Sequence, residues 1–236
     1  MGATRFELAP LIDRLVDSRV AAHGPFGWPE VHAGSLAGVP VLITAGGVGK
    51  ANTAAAVATV AAIAHVKAVL QVGIGGAYPG VAGSPPVPVG SVAVAVSEFD
   101  LDMGVGAAAL WRGLESLGFA SVATEPPTYN LFPCHPQLSR SVADAIGSPL
   151  VPFASSDSVS ADKARARQIA TAVGAAVESM EGAAAAQVCL ALGLPFVELR
   201  AVSNEVGVRD KADWQIHGAI ASAARAALAA LPVVAV

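Results

Sequence analysis

The chain has 236 residues, 54% of them hydrophobic, 14% charged and only 5% aromatic, with a net charge of −4 at pH 7. That composition excludes disorder, and with no dense Lys/Arg run it argues against a nucleic-acid partner, so a small-molecule ligand is expected. Cys134 and Cys189 are the only cysteines and form no CxxC spacing, which excludes a disulfide framework and a zinc cluster. Idle thiols in a reducing cytoplasm are expected, with no metal and no cofactor. The N-terminal residues show no basic stretch followed by an apolar one, so no signal peptide is expected. Apolar runs such as 51–64 are Ala-rich, end at His65 and Lys67, and fall short of the ~20 residues of a membrane span. A soluble protein without membrane contact is the expectation.

Short β-branched runs alternate with longer Ala-rich ones, which predicts an α/β fold. The spacing predicts a helix over 8–20, a strand over 39–44, a glycine turn over 45–49 and a helix over 50–64. A buried strand over 68–72 ends in Gly73-Ile74-Gly75-Gly76-Ala77, and the Gly- and Pro-dense segment 78–90 reads as a loop. A strand over 92–96, a helix over 107–117 and a proline-rich loop over 125–136 follow. Next come a helix over 136–146, a strand over 150–154, a helix over 161–172, a strand over 175–178 and a helix over 182–192. A strand over 195–203, whose first position tolerates its proline, and a helix over 214–231 end the order. No composition shift or internal repeat divides residues 1–236, which predicts a single domain.

Gly46-Gly47-Val48-Gly49-Lys50 has half of a phosphate-loop pattern, but Thr44 replaces its first glycine and Ala51 its hydroxyl residue, so no NTPase is expected. Gly73-Ile74-Gly75-Gly76 follows a strand, yet a Pro-rich loop replaces the helix of a dinucleotide fingerprint. Both glycine turns stand at strand ends, where α/β folds bind ligands and bare N–H groups approach a sugar or base. Tight turns without a ligand fit them equally. In Val177-Glu178-Ser179-Met180-Glu181-Gly182, a Glu between a strand end and an Ala-rich helix is favoured by the helix dipole. Its carboxylate can accept both hydroxyls of a ribose; a plain helix-start carboxylate gives the same pattern. Asn204, ending Leu199-Arg200-Ala201-Val202-Ser203, offers an amide that donates and accepts at once, which suits a purine edge and equally a turn. Glu7 reads as a base or as a first-turn helix carboxylate.

Five motifs stand in one order: Gly47-Val48-Gly49-Lys50, Val72-Gly73-Ile74-Gly75-Gly76, Val89-Gly90-Ser91-Val92, Met180-Glu181-Gly182-Ala183 and Arg200-Ala201-Val202-Ser203-Asn204. In order and spacing they resemble the purine nucleoside phosphorylase and nucleosidase family along nearly the whole chain, and within it the futalosine hydrolase branch. The resemblance implies a three-layer α/β fold with a central mixed sheet flanked by helices. It implies hydrolysis of the N-glycosidic bond of futalosine, with release of hypoxanthine, in the alternative menaquinone pathway. A homo-oligomer, at least a dimer, is implied as well, and a mean hydropathy of +0.59 suits an apolar face that a second copy covers.

Residue by residue, the resemblance puts Glu7 where hydrolytic members keep the Glu that activates water. Met180 and Glu181 match the pair that packs under the ribose and holds its hydroxyls. Asn204 falls where adenine-specific nucleosidases have the Asp that protonates N7. The backbone of Ile74 and Gly75 would line the sugar and base, and Val159 and Ser160 the base. Two departures stand out. A complete first strand precedes the Glu in the family, whereas six residues precede Glu7, which leaves one edge of the site incomplete. Asn204 replaces an acid and cannot give up a proton, but its amide can bond O6 of a 6-oxo purine such as hypoxanthine, which a carboxylate repels. Phosphorolysis needs Arg and Ser/Thr around a phosphate, and the sequence beside 73–77 supplies neither, leaving Arg5. A purine nucleoside phosphorylase, a methylthioadenosine/adenosylhomocysteine-type nucleosidase and a non-catalytic nucleoside binder are the alternatives.

Overall fold

A computed structural model describes residues 1–23, 28–81, 85–107 and 110–235. Thr4 opens α1 (Arg5–Ile12): its side chain accepts the Glu7 N–H while the Glu7 side chain accepts the Thr4 N–H, a capping box. The predicted helix over 8–20 ends at Ile12. Leu8, Leu11, Ile12 and Leu15 keep a helical stripe, and all four pack into one core. Asp17, however, takes a left-handed backbone (φ 53°), and the chain continues as β1 (Val16–His23). That strand pairs antiparallel with β2 (Glu30–Leu36), and β2 with β3 (Val39–Thr44). Partners distant in sequence thus overrode a local helical period.

The glycine turn leads into α2 (Lys50–Ile63), with Gly47 and Gly49 at φ 95° and 93°, a region glycine alone enters freely. The second glycine run is not a turn. It continues β4 (Val69–Ala77), which pairs in parallel with β11 (Phe196–Glu205) and, at its end, antiparallel with β10 (Val177–Ser179). Glycine is needed there because neighbours crowd the strand. A Cβ on Gly73 would lie 2.7 Å from Arg200 Nη1, and one on Gly75 2.8 Å from the Glu178 carbonyl oxygen.

With β5 (Val92–Asp100), β8 (Leu131–Pro133) and β9 (Leu150–Ser155), these strands form a six-stranded mixed sheet ordered β11-β4-β10-β9-β5-β8. β11 also pairs with β5, which curls the sheet back on itself. The helices α3 (Pro136–Ile146) and α6 (Ile216–Val234) join α1 around Val72, Val142, Leu199 and Ala223. α5 (Gly182–Leu192) packs with α2 around Phe132, Phe153, Ala185 and Val202, and α4 (Lys163–Val173) around Tyr78, Ile169 and Val206. The result is the expected α/β fold, a central mixed sheet flanked by helices. By length and composition α6 matches a membrane span, but it packs on α1, α3, β4 and β11 and buries Ala219, Ala223 and Ala230.

The predicted helix over 107–117 is also absent, and its residues 108 and 109 lie outside the described ones. Instead β6 (Gly104–Ala107) and β7 (Leu110–Gly113) form a hairpin, followed by a single 3₁₀ turn. Asn130 fixes this segment: its amide donates to the Asp100 and Met103 carbonyls at 2.9 and 2.7 Å, and its oxygen accepts the Leu114 N–H at 2.8 Å. In the predicted loop over 125–136, Phe132 is fully buried and draws β8 onto β5.

Candidate active site

Gly2 holds the start of the chain to the sheet. Its N–H donates to the Thr44 carbonyl and its own carbonyl accepts the Gly46 N–H, while the Met1 carbonyl accepts the Val72 N–H, so α1 begins against the C-terminal end of β3 and the first half of β4. The Glu7 carboxylate is thereby divided between two tasks. Oε2 accepts the Thr4 N–H and hydroxyl at 3.0 and 2.8 Å, while Oε1 reaches across to the Ile74 N–H at 3.2 Å. The helix-start role and the reach into β4 coexist in one side chain.

Glu181 is the N-cap of α5, yet its side chain caps nothing. Oε1 accepts the Gly49 N–H at 3.2 Å and Oε2 faces Arg200 Nη1 at 3.1 Å. The glycine turn therefore presents its N–H to a carboxylate of the protein. Arg200 is completely enclosed: Nε donates to Glu198 Oε1 at 2.7 Å, and Nη1 also donates to the Ile74 carbonyl at 3.1 Å. Burial by itself would lower the guanidinium's pKa, but the charges of Glu198, Glu181 and Glu7 together hold it above its ordinary value. Glu7, Glu181 and Arg200 thus converge on Gly73–Ile74.

Gly76 lies two residues beyond Ile74 along β4, roughly 7 Å at strand spacing. It has Asn204 as its partner on β11 and Glu178 on β10. The Asn204 amide donates to the Glu205 carbonyl at 2.9 Å, and its oxygen accepts the Ser203 hydroxyl at 2.8 Å. Glu178 accepts the Tyr78 hydroxyl at 2.9 Å, the Ser160 hydroxyl at 2.6 Å and the Ser160 N–H. Burial, then the charge of Glu178, pushes the Tyr78 phenol above its ordinary range, so it stays a donor. Ser160 is buried, whereas Val159 and Met180 are half-buried.

A family model described as the phosphorylase superfamily matches residues 1–236. The chain belongs to this superfamily. Over 181 residues it is 40% identical to futalosine hydrolase of Thermus thermophilus, covering 76% of each chain. A methylthioadenosine/adenosylhomocysteine nucleosidase of Colwellia psychrerythraea, solved with adenine, overlays with a TM-score of 0.82 at 23% identity, covering 99% of this chain and 93% of that one. Futalosine hydrolase of Helicobacter pylori overlays at 0.76 with 20% identity, covering 99% and 94%. The two overlays show a shared fold.

The site residues expected from sequence fall into two adjoining groups in the C-terminal half of β4: Glu7, Ile74 and Glu181 around Gly73–Ile74, and Gly75, Ser160 and Asn204 around Gly75–Gly76. Arg200 and Glu178 stand within the sequence motifs without an expected role, and Tyr78 falls in the predicted loop over 78–90. The signal for Arg200 was present: Glu198 and Arg200 interrupt an otherwise apolar strand run at i and i+2, and buried charges must pair. The expectation that no Arg or Ser stands near Gly73–Ala77 is corrected, because β11 brings Arg200 and Ser203 alongside; Ser203 donates to the Gly75 carbonyl at 3.2 Å. Arg5, by contrast, is largely exposed and paired with Glu30 at 3.1 Å. Among the described residues no cluster of three or more His, Cys, Asp or Glu is arranged to hold a metal ion. A mostly aliphatic cavity of about 680 Å³, lined by Leu11, Leu42, Val60, Leu70 and Leu231, lies apart from these polar groups.

Proposed function

We propose that this chain is a hydrolytic nucleosidase that cleaves the N-glycosidic bond of futalosine and releases hypoxanthine, working in the cytoplasm as a homo-oligomer of at least two copies. The observation that carries this reading is the convergence of Glu7, Glu181 and Arg200 on Gly73–Ile74, with Asn204 beside Gly76. A sugar at the first position and a purine at the second span that distance.

Glycoside cleavage passes through a cationic, oxocarbenium-like sugar, and the base leaves with negative charge unless a donor meets it. Glu7 accepts the proton of the attacking water, a step worth ~10²–10⁴-fold. Glu181 holds the ribose hydroxyls and places negative charge beside the developing cation. Asn204 has a second amide hydrogen beyond the one given to Glu205, and that hydrogen serves an acceptor on the purine edge.

Water is favoured over phosphate because Arg200 is already matched by Glu198 and Glu181, with Glu7 adding further negative charge. A phosphate dianion there meets a surplus of carboxylates. The similarity to the futalosine hydrolase of Thermus thermophilus supports the substrate, and Asn204 in place of an acid supports a 6-oxo base. The test is incubation with futalosine, inosine and methylthioadenosine, with and without phosphate, following free bases by chromatography. Hypoxanthine from futalosine without phosphate is expected; a strict phosphate requirement, or release of adenine alone, overturns the reading. Light scattering at micromolar concentration tests the assembly, and a monomer contradicts it.

A further inference from the structure

A second buried polar cluster stands behind the groups assigned to the nucleoside. Glu98 on β5 and Glu198 on β11 are both 0% exposed. Glu98 Oε2 accepts the Ser155 hydroxyl at 2.8 Å, and Glu198 Oε1 accepts Arg200 Nε–H at 2.7 Å. The other two oxygens, Glu98 Oε1 and Glu198 Oε2, are enclosed and have no donor among the described residues. Both press on Gly182, where a methyl group would overlap each of them. Two ionised carboxylates packed this way in a dry interior repel each other and leave both acceptors empty. One proton removes both defects, because it cancels a charge and turns one oxygen into a donor. Glu198 faces the Arg200 guanidinium whereas Glu98 has only the Ser155 hydroxyl, so the proton belongs to Glu98, whose carboxyl burial first and the charge of Glu198 second push well above the usual range.

We propose that Glu98 and Glu198 form one proton-sharing carboxyl pair with a single negative charge, and that Glu198 is a positioning residue for Arg200 and, through it, for Glu181. The second half rests on the reading of Glu181 as the ribose-binding carboxylate. A guanidinium is planar and rigid, so a bond at Nε fixes the direction in which Nη1 points. In Arg200, Nη1 points at both Glu181 Oε2 and the Ile74 carbonyl. The charge count explains the proton. The titratable groups around the pair are Arg200 on β11, Glu181 at the start of α5, Glu7 on α1 and the Cys134 thiol beyond β8. Were Glu98 ionised, one guanidinium would answer four carboxylates; with Glu98 protonated it answers three.

The test uses Glu98→Gln and Glu198→Gln in the intact protein. Infrared spectroscopy with ¹³C-carboxyl-labelled glutamate at pH 8 is expected to show a neutral buried carboxyl in the parent and in Glu7→Gln. That band is expected to vanish in Glu98→Gln. An amide donates to Glu198 as a protonated carboxyl does, so Glu98→Gln keeps kcat/KM within about threefold and leaves the pH profile unmoved. Glu198→Gln is expected to raise KM and lower kcat/KM by ~10-fold or more. It is also expected to lose the slowly exchanging Arg200 Nε–H resonance that Glu98→Gln retains. A parent with no neutral carboxyl overturns the pair, whether or not either variant folds. A Glu198→Gln enzyme with parental KM and an unchanged Arg200 resonance overturns the positioning role. The infrared and resonance measurements need no substrate, so they stand or fall separately from futalosine hydrolysis.

Discussion

Glu181 meets Arg200 at 3.1 Å with both side chains almost wholly enclosed, 5% and 1% exposed. Such a pair is a weak source of stability, since desolvating two charges offsets most of their attraction, whereas removing one partner strands the other at a cost of about 3–5 kcal/mol. Its value lies in orientation. The pair fixes one carboxylate oxygen, and the Gly49 N–H fixes the other at 3.2 Å.

Glu181→Gln therefore acts on binding and turnover together, because the ribose hydroxyls are held in ground and transition states alike. Steady-state kinetics are expected to show a higher KM and a lower kcat. Thermal unfolding is expected to show a loss of a few kcal/mol, about the cost of an unpaired buried charge. A variant with parental KM removes Glu181 from the sugar.

Glu7→Gln separates catalysis from binding. The amide keeps the shape of the carboxylate but cannot take a proton, so kcat is expected to fall ~10²-fold or more while nucleoside affinity stays near that of the parent. The capping box complicates the comparison: the Thr4 N–H and hydroxyl both bond Glu7 Oε2. Thr4→Ala serves as the control, weakening the helix start by ~1 kcal/mol while leaving the base in place. If Glu7→Gln turns over futalosine at the parental rate, the base is elsewhere and Glu7 is a helix-start carboxylate.

Much of this was legible from periodicity and punctuation. Gly47 and Gly49 announced a turn, and their left-handed backbone bears that out. The Ala-rich runs became α2 and α5 within a residue of their expected bounds. The misreadings share one cause, which is that partners distant in sequence decide the local form. The Leu8-to-Leu15 stripe keeps a helical period past Ile12, although the chain there already turns into β1. Gly73–Ala77 looked like a turn because nothing local says that Arg200 and Glu178 need the room. Glu98 was invisible for the same reason: it lies beyond the predicted strand over 92–96, and only the folded sheet extends β5 to Asp100 and brings Glu198 against it.

The thiols give a pH-dependent prediction. Burial pushes Cys189 up to about 12 from an ordinary 9, and Cys134 well above the same value by burial and then the charge of Glu198. Above pH 9 the unfolded chain has lost protons that the native one retains. The thiols' contribution to stability, level below pH 9, is therefore expected to fall as pH rises from 9 towards 12. Chemical unfolding across that range reads the slope. Native protein at pH 8 is expected to be inert to a thiol-titrating reagent and to yield both thiols once unfolded; a rapidly titrating native thiol contradicts the enclosed placement.

Asn204 carries the prediction about substrate choice. Its oxygen accepts from Ser203 at 2.8 Å and one amide hydrogen goes to the Glu205 carbonyl at 2.9 Å, leaving one hydrogen free to donate. The 6-oxo purine offers acceptors at O6 and N7, which that hydrogen matches. Adenine offers a 6-amino donor beside N7, which a carboxylic acid matches better, accepting from the amine and donating to N7. Asn204→Asp also puts a carboxylate against the Glu205 carbonyl, so at neutral pH a proton is needed to keep that contact. The variant is expected to lose activity on futalosine and inosine, and to gain relative to them on methylthioadenosine. The ratio of kcat/KM values is expected to move by ~10-fold or more towards the 6-amino substrate, since exchanging a donor for an acceptor leaves a buried polar group unpaired on one side or the other. Competition between inosine and methylthioadenosine in one vessel, read by the ratio of hypoxanthine to adenine released, measures that shift directly. An unchanged ratio places base selection on other residues, with Glu178 and Ser160, across Gly76 from Asn204, the next to change.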